Sequence, residues 1–307
     1  MASSRYIPQD TFPEPLTLST PPASLLQPAL ERIVHAAPPR SSYPSADDLD
    51  GLLIGPTSLA YLFLRLSTVN PSLSIAGHPP LHWAKAYTRG HRGTAHDESG
   101  NCGLTNERLS LLFLHACLSR ETADVKAFIH GLAPVLSPSS ADKYPSELLY
   151  GRAGLLYFIR ALRHSVPHAA LLLDDPIASI NRRIMDVGED GKGGWRWNGK
   201  YYIGAGHGDI GIITQLVLTT PSLAPALQPR LEKLLAAQLD NGNWPASVVN
   251  PDDIRVQWCH GAPGFVMSLL ALREFYPGLH AEIDAAVERG LLRKEPNLCH
   301  GILGNAL

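Results

Sequence analysis

The chain has few charged residues and few cysteines, and both shortages exclude classes of protein. Only 18% of the 307 residues are charged, and the net charge is −2 at neutral pH. A protein that holds a phosphate backbone needs a surplus of lysine and arginine, so we exclude nucleic acid as a partner. Four cysteines without a secretion signal are better explained as thiols or metal ligands than as a disulfide framework.

Long apolar runs are also missing. The run from Leu59 to Leu64 ends at Arg65, far short of a bilayer span. The first 22 residues contain five prolines and lack the basic start and apolar core of a secretion signal. We therefore expect a disordered N-terminal arm over residues 1–22 and one domain over residues 23–307. The expected location is cytoplasmic, with peripheral association with a membrane left open.

A glycine unit recurs six times, each time followed by an apolar run of helical length. The units have the form Gly-x-x-Gly or a near variant, and they begin at Gly55, Gly103, Gly151, Gly208, Gly261 and Gly301. Steps of 40 to 57 residues separate them, which is enough for two helices and two loops each. The repeat therefore predicts six α-hairpins in series.

The polarity of the segments predicts how these hairpins pack. The runs after the glycine units are apolar nearly all round, as in Leu155–Ile159 and Phe265–Leu272, which indicates burial on most faces. The helices between them, for example Thr122–Leu136 and Pro229–Leu239, have polar faces. This alternation predicts an all-α fold, an α/α toroid with the glycine units at one end of the inner helices. An open α-solenoid explains the period equally well, although we favour closure.

Metal-binding side chains stand just before the last three leading glycines. These segments read Gly206-His207-Gly208, Cys259-His260-Gly261 and Cys299-His300-Gly301. Equivalent positions in a closed array meet at one mouth, and thiolate with imidazole is the donor set that zinc prefers. The repeat thus predicts a zinc site, although neither cysteine has the paired spacing typical of structural zinc. Buried packing is the expected role of Cys102 and Cys117.

Longer motifs around these residues carry a family resemblance. They are Gly204–Gly211, Trp258–Gly264 and Cys299–Asn305, with Glu147–Gly154, Trp197–Lys200 and Asn243–Ala246. Together they resemble the signature set of the lanthionine synthetase C-like proteins, and look more like the eukaryotic branch than the bacterial lantibiotic cyclases. The resemblance extends from about residue 50 to the end of the chain. Because family members continue for several dozen residues beyond the last motif, we expect that the closing hairpin is missing after Leu307.

The resemblance implies the metal ligands and a catalytic histidine. Cys259, Cys299 and His300 would be the zinc ligands, whereas His260 occupies a place that the family does not use for coordination. His207 matches the histidine that acts as general acid or base beside the metal.

Four further residues complete the predicted site. Arg255 and Trp258 match residues that line the active site of the family. The bacterial cyclases have a catalytic aspartate just before the third glycine unit, where this chain has Glu147 as the nearest carboxylate. Lys200 is a candidate contact for the carboxylates of glutathione, or simply a solvated surface lysine.

These roles imply a reaction. Zinc lowers the pKa of a bound thiol, and the thiolate adds to dehydroalanine or dehydrobutyrine in a peptide or protein to form a thioether. The resemblance to the eukaryotic branch implies glutathione as the thiol co-substrate. Two alternatives are a non-catalytic glutathione- or partner-binding signalling module that keeps the zinc, and a glycosidase on a similar toroid. A glycosidase needs two carboxylates at the mouth, for which only Asp209 and Glu147 are available.

Overall fold

The fold is built from helices. The computed structural model describes residues 20–43, 49–93, 100–140, 143–188, 194–247 and 255–290. Within these ranges the regular structure consists of α-helices and short 3-10 helices, and extended pairing is limited to isolated bridges. The all-α class predicted from the apolar runs is therefore confirmed. None of the described helices has the length and apolarity that a membrane crossing requires.

Twelve α-helices follow one another in the described ranges. They are α1 (Pro22–Ala36), α2 (Pro56–Val69), α3 (Pro80–Thr88), α4 (Glu107–Ser119), α5 (Thr122–Gly131), α6 (Ala133–Leu136), α7 (Arg152–Ser165), α8 (Asp174–Gly188), α9 (Asp209–Thr219), α10 (Ala224–Ala236), α11 (Ala262–Leu272) and α12 (His280–Gly290). The leading glycine of a unit lies directly before α2, α7, α9 and α11, and the unit at Gly103 lies directly before α4, as the repeat predicts. The sixth unit, at Gly301, lies outside the described residues.

Two helices between the glycine units differ from their predicted bounds. The helix predicted over Thr122–Leu136 is divided into α5 and α6, with a turn at Leu132. Proline at the start of α6 explains the division, because it has no N–H for a continuous helical hydrogen bond. The helix predicted from Pro229 begins five residues earlier, at Ala224, and contains Pro229 in its interior.

Contacts within the chain define two compact units. The first contains the described residues of 141–157 and 177–290, and the second contains those of 20–140 and 158–176. The single domain expected over residues 23–307 stays a prediction. Cys102 and Cys117 are buried in the second unit, at 0% and 5% exposure, as expected for packing residues.

A buried polar network around Glu107 joins the starts of two helices in the second unit. Arg92 Nε donates to Glu107 Oε1 at 3.0 Å, and both side chains are 5% exposed. The same carboxylate accepts from Thr57 Oγ1 at 2.5 Å and from the N–H of Gly51 at 3.1 Å. Because Thr57 lies in α2 and Glu107 begins α4, this network fixes the first two glycine units beside each other.

The apolar runs are buried to different extents. In α9 every residue from Asp209 to Val217 is buried, and four of the five residues of Leu155–Ile159 in α7 are buried, as predicted. The prediction is wrong for α2, where only Pro56, Thr57, Ala60 and Phe63 are buried. One face of α2 packs on α3 and α4, which leaves its other apolar side chains partly open.

Candidate functional site

Three glycine segments lie side by side in the first unit. The N–H of Gly206 donates to the carbonyl of Cys259 at 3.2 Å, and the N–H of Leu148 donates to the carbonyl of Gly206 at 3.3 Å. A Cβ on Gly206 would come within 2.8 Å of Cys259 Cβ, and one on Gly204 would collide with the carbonyl of Cys259. Glycine is required here because two backbones meet without room for a side chain. The loops before α7, α9 and α11 therefore come together, as the repeat predicts.

Glu147 and His207 form the central polar pair of this cluster. Glu147 Oε2 lies 2.7 Å from His207 Nδ1, and the two side chains are 2% and 12% exposed. The carboxylate also accepts from the N–H of Leu149 at 3.0 Å and from the N–H of Tyr150. Because Nδ1 is engaged by the carboxylate, Nε2 is the ring nitrogen of His207 that can exchange a proton with a bound molecule.

Aromatic rings enclose the imidazole of His207. The Trp197 ring stacks on it at 3.9 Å between centroids, with 6° between the planes. Tyr150 lies nearly parallel at 6.0 Å, and the Tyr202 ring is 6.3 Å away. These neighbours restrict rotation of the imidazole and cover its face. The motif of Trp197 pointed to the site, but the sequence did not identify Trp197, Tyr150 or Tyr202 as neighbours of His207.

A tight turn places Trp197 over His207. Trp197 and Lys200 exchange two backbone hydrogen bonds of 3.0 Å, with Asn198 and Gly199 between them at φ of 48° and 71°. Positive φ at both central residues is the conformation that Asn-Gly favours in two-residue hairpins. Lys200 is exposed at this turn. Its proposed contact with an anionic substrate stays a prediction.

Cys259 is the predicted zinc ligand that the structure describes. It is 8% exposed, and its Sγ lies 3.6 Å from Gln257 Oε1. The ring of His260 lies 5.6 Å from that of His207. Cys299 and His300 lie outside the described residues, and the described part of the chain contains no group of three His, Cys, Asp or Glu residues that could hold a metal. The three-ligand set stays a prediction.

A buried asparagine organises the loop that carries Arg255 and Trp258. Asn243 is 0% exposed; its Nδ2 donates to the Arg255 carbonyl at 3.0 Å, and its Oδ1 accepts from the N–H of Ala262 at 2.7 Å. It therefore joins this loop to the start of α11. Arg255 and Trp258 are half-buried in the loop that leads to Cys259. Their roles as lining residues stay predictions, and sequence reasoning gave Asn243 no role.

Asp209 adds a buried carboxyl group two residues after His207. It is 8% exposed, Oδ2 lies 3.9 Å from Arg230 Nη1, and Oδ1 has no hydrogen-bond partner. Burial raises the pKa of Asp209 to about 7, against the opposing effect of the Arg230 guanidinium. The carboxyl group is therefore partly protonated at neutral pH.

We expect Asp209→Asn to stabilise the fold in a pH-dependent way. Because the folded pKa exceeds the unfolded value of about 3.9, ionising Asp209 costs stability. That cost is absent below about pH 4 and complete above about pH 7, where it is on the order of a few kcal/mol. The melting temperature of the variant should therefore exceed that of the parent by a lead, the difference between the two, that grows between these pH values and then levels off. Thermal unfolding from pH 4 to 8 measures it, with exposed Asp240→Asn as the control; a lead that does not change with pH would contradict the prediction.

Comparison with known proteins agrees with the motifs. The family model described as lanthionine synthetase C-like protein matches residues 50–307. Glutathione S-transferase LANCL1 from Danio rerio is 29% identical over an alignment of 190 residues that covers 53% of this chain and 45% of that protein. LanC-like protein GCL1 from Arabidopsis thaliana is 30% identical over an alignment of 176 residues that covers 52% of this chain and 40% of that protein.

These matches differ in extent. The aligned part spans less than half the length of each relative, whereas the family model covers most of this chain and all the segments that form the site. The chain therefore belongs to the lanthionine synthetase C-like family, whose fold is an α/α toroid.

Proposed function

We propose that this protein adds the thiol of glutathione to dehydroalanine or dehydrobutyrine residues of a peptide or protein, and so forms a thioether at a zinc site. The observation that supports the proposal best is the hydrogen bond between Glu147 and His207. The segment that contains His207 is itself hydrogen-bonded to Cys259 through Gly206. The name of the zebrafish relative reports a glutathione S-transferase, which agrees with glutathione as the thiol.

Cys259 fits a metal ligand. Its thiol is buried and its backbone is held against Gly206. Two imidazoles lie nearby, that of His260 next in the chain and that of His207 on the neighbouring segment. Cys259, Cys299 and His300 would hold the zinc. A bound zinc ion would lower the pKa of the glutathione thiol and make the thiolate available at neutral pH.

His207 supplies the proton transfer. Its Nε2 takes the proton of the thiol, and the sulfur forms a bond to the β-carbon of the dehydroamino acid. The electrons of the carbon–carbon double bond move toward the carbonyl and give an enolate, which then takes the proton from His207 at the α-carbon. No other reactant is needed. Glu147 stabilises the protonated imidazole through the 2.7 Å hydrogen bond to Nδ1.

The aromatic neighbours position this histidine. Trp197 and Tyr150 hold the plane of the imidazole, so that Nε2 keeps one direction. With only 12% of the His207 side chain exposed, the imidazole is largely shielded from bulk water, which favours delivery of its proton to the enolate. Lys200 lies three residues from Trp197 and would take a carboxylate of glutathione, while Arg255 and Trp258 would line the site near Cys259.

The carboxylates do not favour a glycosidase. Glu147 is engaged by His207 and by two backbone N–H groups, and Asp209 faces Arg230. Sugar hydrolysis needs two carboxyl groups that both reach the substrate. Glu147 and Asp209 are held by these protein partners instead of reaching toward a substrate.

One assay on the purified full chain tests the proposal. We expect about one zinc per chain by elemental analysis. We also expect a glutathione adduct to accumulate on a dehydroalanine peptide faster than in the uncatalysed reaction, as followed by mass spectrometry. The same peptide with alanine is the control and should gain no adduct.

Two other outcomes would reject the proposal. Zinc and glutathione binding with no rate above background would favour the non-catalytic binding module. A chain that binds no zinc would contradict both functions.

A further inference from the structure

A cavity of about 310 Å³ lies in the second unit, to which none of the predicted site residues belongs. It is bounded by the segment after α1, the first turn of α2 and the end of α3. Its walls are mainly apolar and include Pro38, Ile54, Pro56 and Leu59. The volume is at the lower end of the range for small-molecule sites, roughly 300–1,000 Å³, so the cavity suits a small molecule rather than a folded partner.

One uncompensated positive charge belongs to this cavity. Arg40 lines it and is exposed, and no carboxylate in the described part of the chain pairs with its guanidinium. Arg92, the other arginine close by, is neutralised by Glu107 at 3.0 Å. Among the described residues that line the cavity, Arg40 is therefore the counterion available to a ligand with a negative charge.

A buried hydroxyl offers a hydrogen bond beside this charge. Tyr43 is 8% exposed, and its oxygen accepts from the backbone N–H of Arg40 at 2.8 Å. Within the described residues no acceptor takes the proton of the Tyr43 hydroxyl. Because Tyr43 lines the cavity, its hydroxyl can donate to an acceptor bound there.

The remaining polar groups do not repel an anion. The Tyr87 hydroxyl donates to the Ala37 carbonyl at 2.6 Å, and burial raises the pKa of Tyr87 to about 12, so that it stays neutral at physiological pH. Ser58 lies in the first turn of α2, and its hydroxyl donates to the Gly55 carbonyl at 2.7 Å. That turn adds the positive end of a helix dipole to the same wall.

We propose that this cavity binds a small organic anion with an apolar body, of the class of straight-chain carboxylates of medium length. The carboxylate pairs with Arg40 and accepts a hydrogen bond from the Tyr43 hydroxyl, and the hydrocarbon chain lies against Pro38, Ile54 and Leu59. The site uses no metal, so its occupancy does not depend on the proposed zinc chemistry.

Calorimetric titration of the full chain with octanoate, and with octanol as the uncharged analogue, tests whether the negative charge of the ligand contributes to binding. We expect octanoate to bind at least tenfold more tightly than octanol, since a hydrogen bond to an ionised carboxylate is stronger than one to a neutral hydroxyl. Arg40→Gln should weaken octanoate binding tenfold or more and leave octanol unchanged. Arg32→Gln removes an exposed arginine of α1 outside the cavity and should change neither.

Filling the cavity tests the place of binding. Ala37 lines the cavity at the end of α1 and is exposed, so tryptophan there can occupy the space without disturbing the core. Ala37→Trp should abolish binding of both octanoate and octanol, while circular dichroism confirms the helical fold. The proposal is overturned if octanoate does not bind, if Arg40→Gln leaves its affinity unchanged, or if a folded Ala37→Trp variant still binds it.

Discussion

Replacing Cys259 by alanine is expected to abolish stoichiometric zinc binding. A thiolate is a strong zinc ligand, and alanine at this buried position offers no atom that could replace it. Elemental analysis of dialysed protein gives the metal content. Cys117→Ala is the matched control, because it removes another buried thiol, whose pKa burial raises to about 11, from the unit that lacks the predicted ligands. This control should keep its zinc.

A second variant, at the histidine next to Cys259, tests which side chains bind the zinc. His260→Ala should leave zinc bound, because the resemblance assigns coordination to Cys259, Cys299 and His300 alone. A Cys259→Ala chain that keeps one zinc, or a His260→Ala chain that loses it, would show that the proposed ligand set is wrong. Circular dichroism of each variant separates loss of a ligand from loss of the fold.

The meeting of the three loops could be predicted because it depends on the repeat. In a series of stacked hairpins, equivalent positions of the repeat lie at the same level of the stack. The residues before Gly151, Gly208 and Gly261 were therefore expected to lie near one another. The close contact between two of these loops also depends on a small residue, since Gly206 touches Cys259 directly.

The side-chain contacts of the site could be predicted only in part. The resemblance indicated that Glu147 and His207 belong to one site, but not that their side chains join at 2.7 Å across sixty residues of sequence. Asn198-Gly199 predicts a tight turn, yet the ring that Trp197 covers depends on how this turn packs on the segment before α9. Such contacts are set by tertiary packing, on which local periodicity carries no information.

The burial of α2 illustrates the same limit. Its apolar pattern resembles that of α9, but α9 is buried almost throughout and α2 along one face. A helix that is apolar all round can be buried on every side, but the number of helices packed against it decides how much of its surface is buried. The cavity beside Leu59 and Pro56 lies at one such incompletely covered part of α2.

Replacing His207 by alanine is expected to lower turnover by roughly 10²–10⁴, the usual contribution of a general acid or base, with zinc binding unchanged. Glu147 would then lose its partner at 2.7 Å, and no other imidazole in the described part of the chain has that hydrogen bond. Thiol-addition rates and zinc content of the same preparation are the measurements, with His115→Ala, an exposed histidine of α4, as the control. Loss of zinc together with activity would make His207 a fourth ligand and leave no open position for the thiol. Retained zinc with an unchanged rate would reduce His207 to a hydrogen-bonded residue before α9 and remove it from the mechanism.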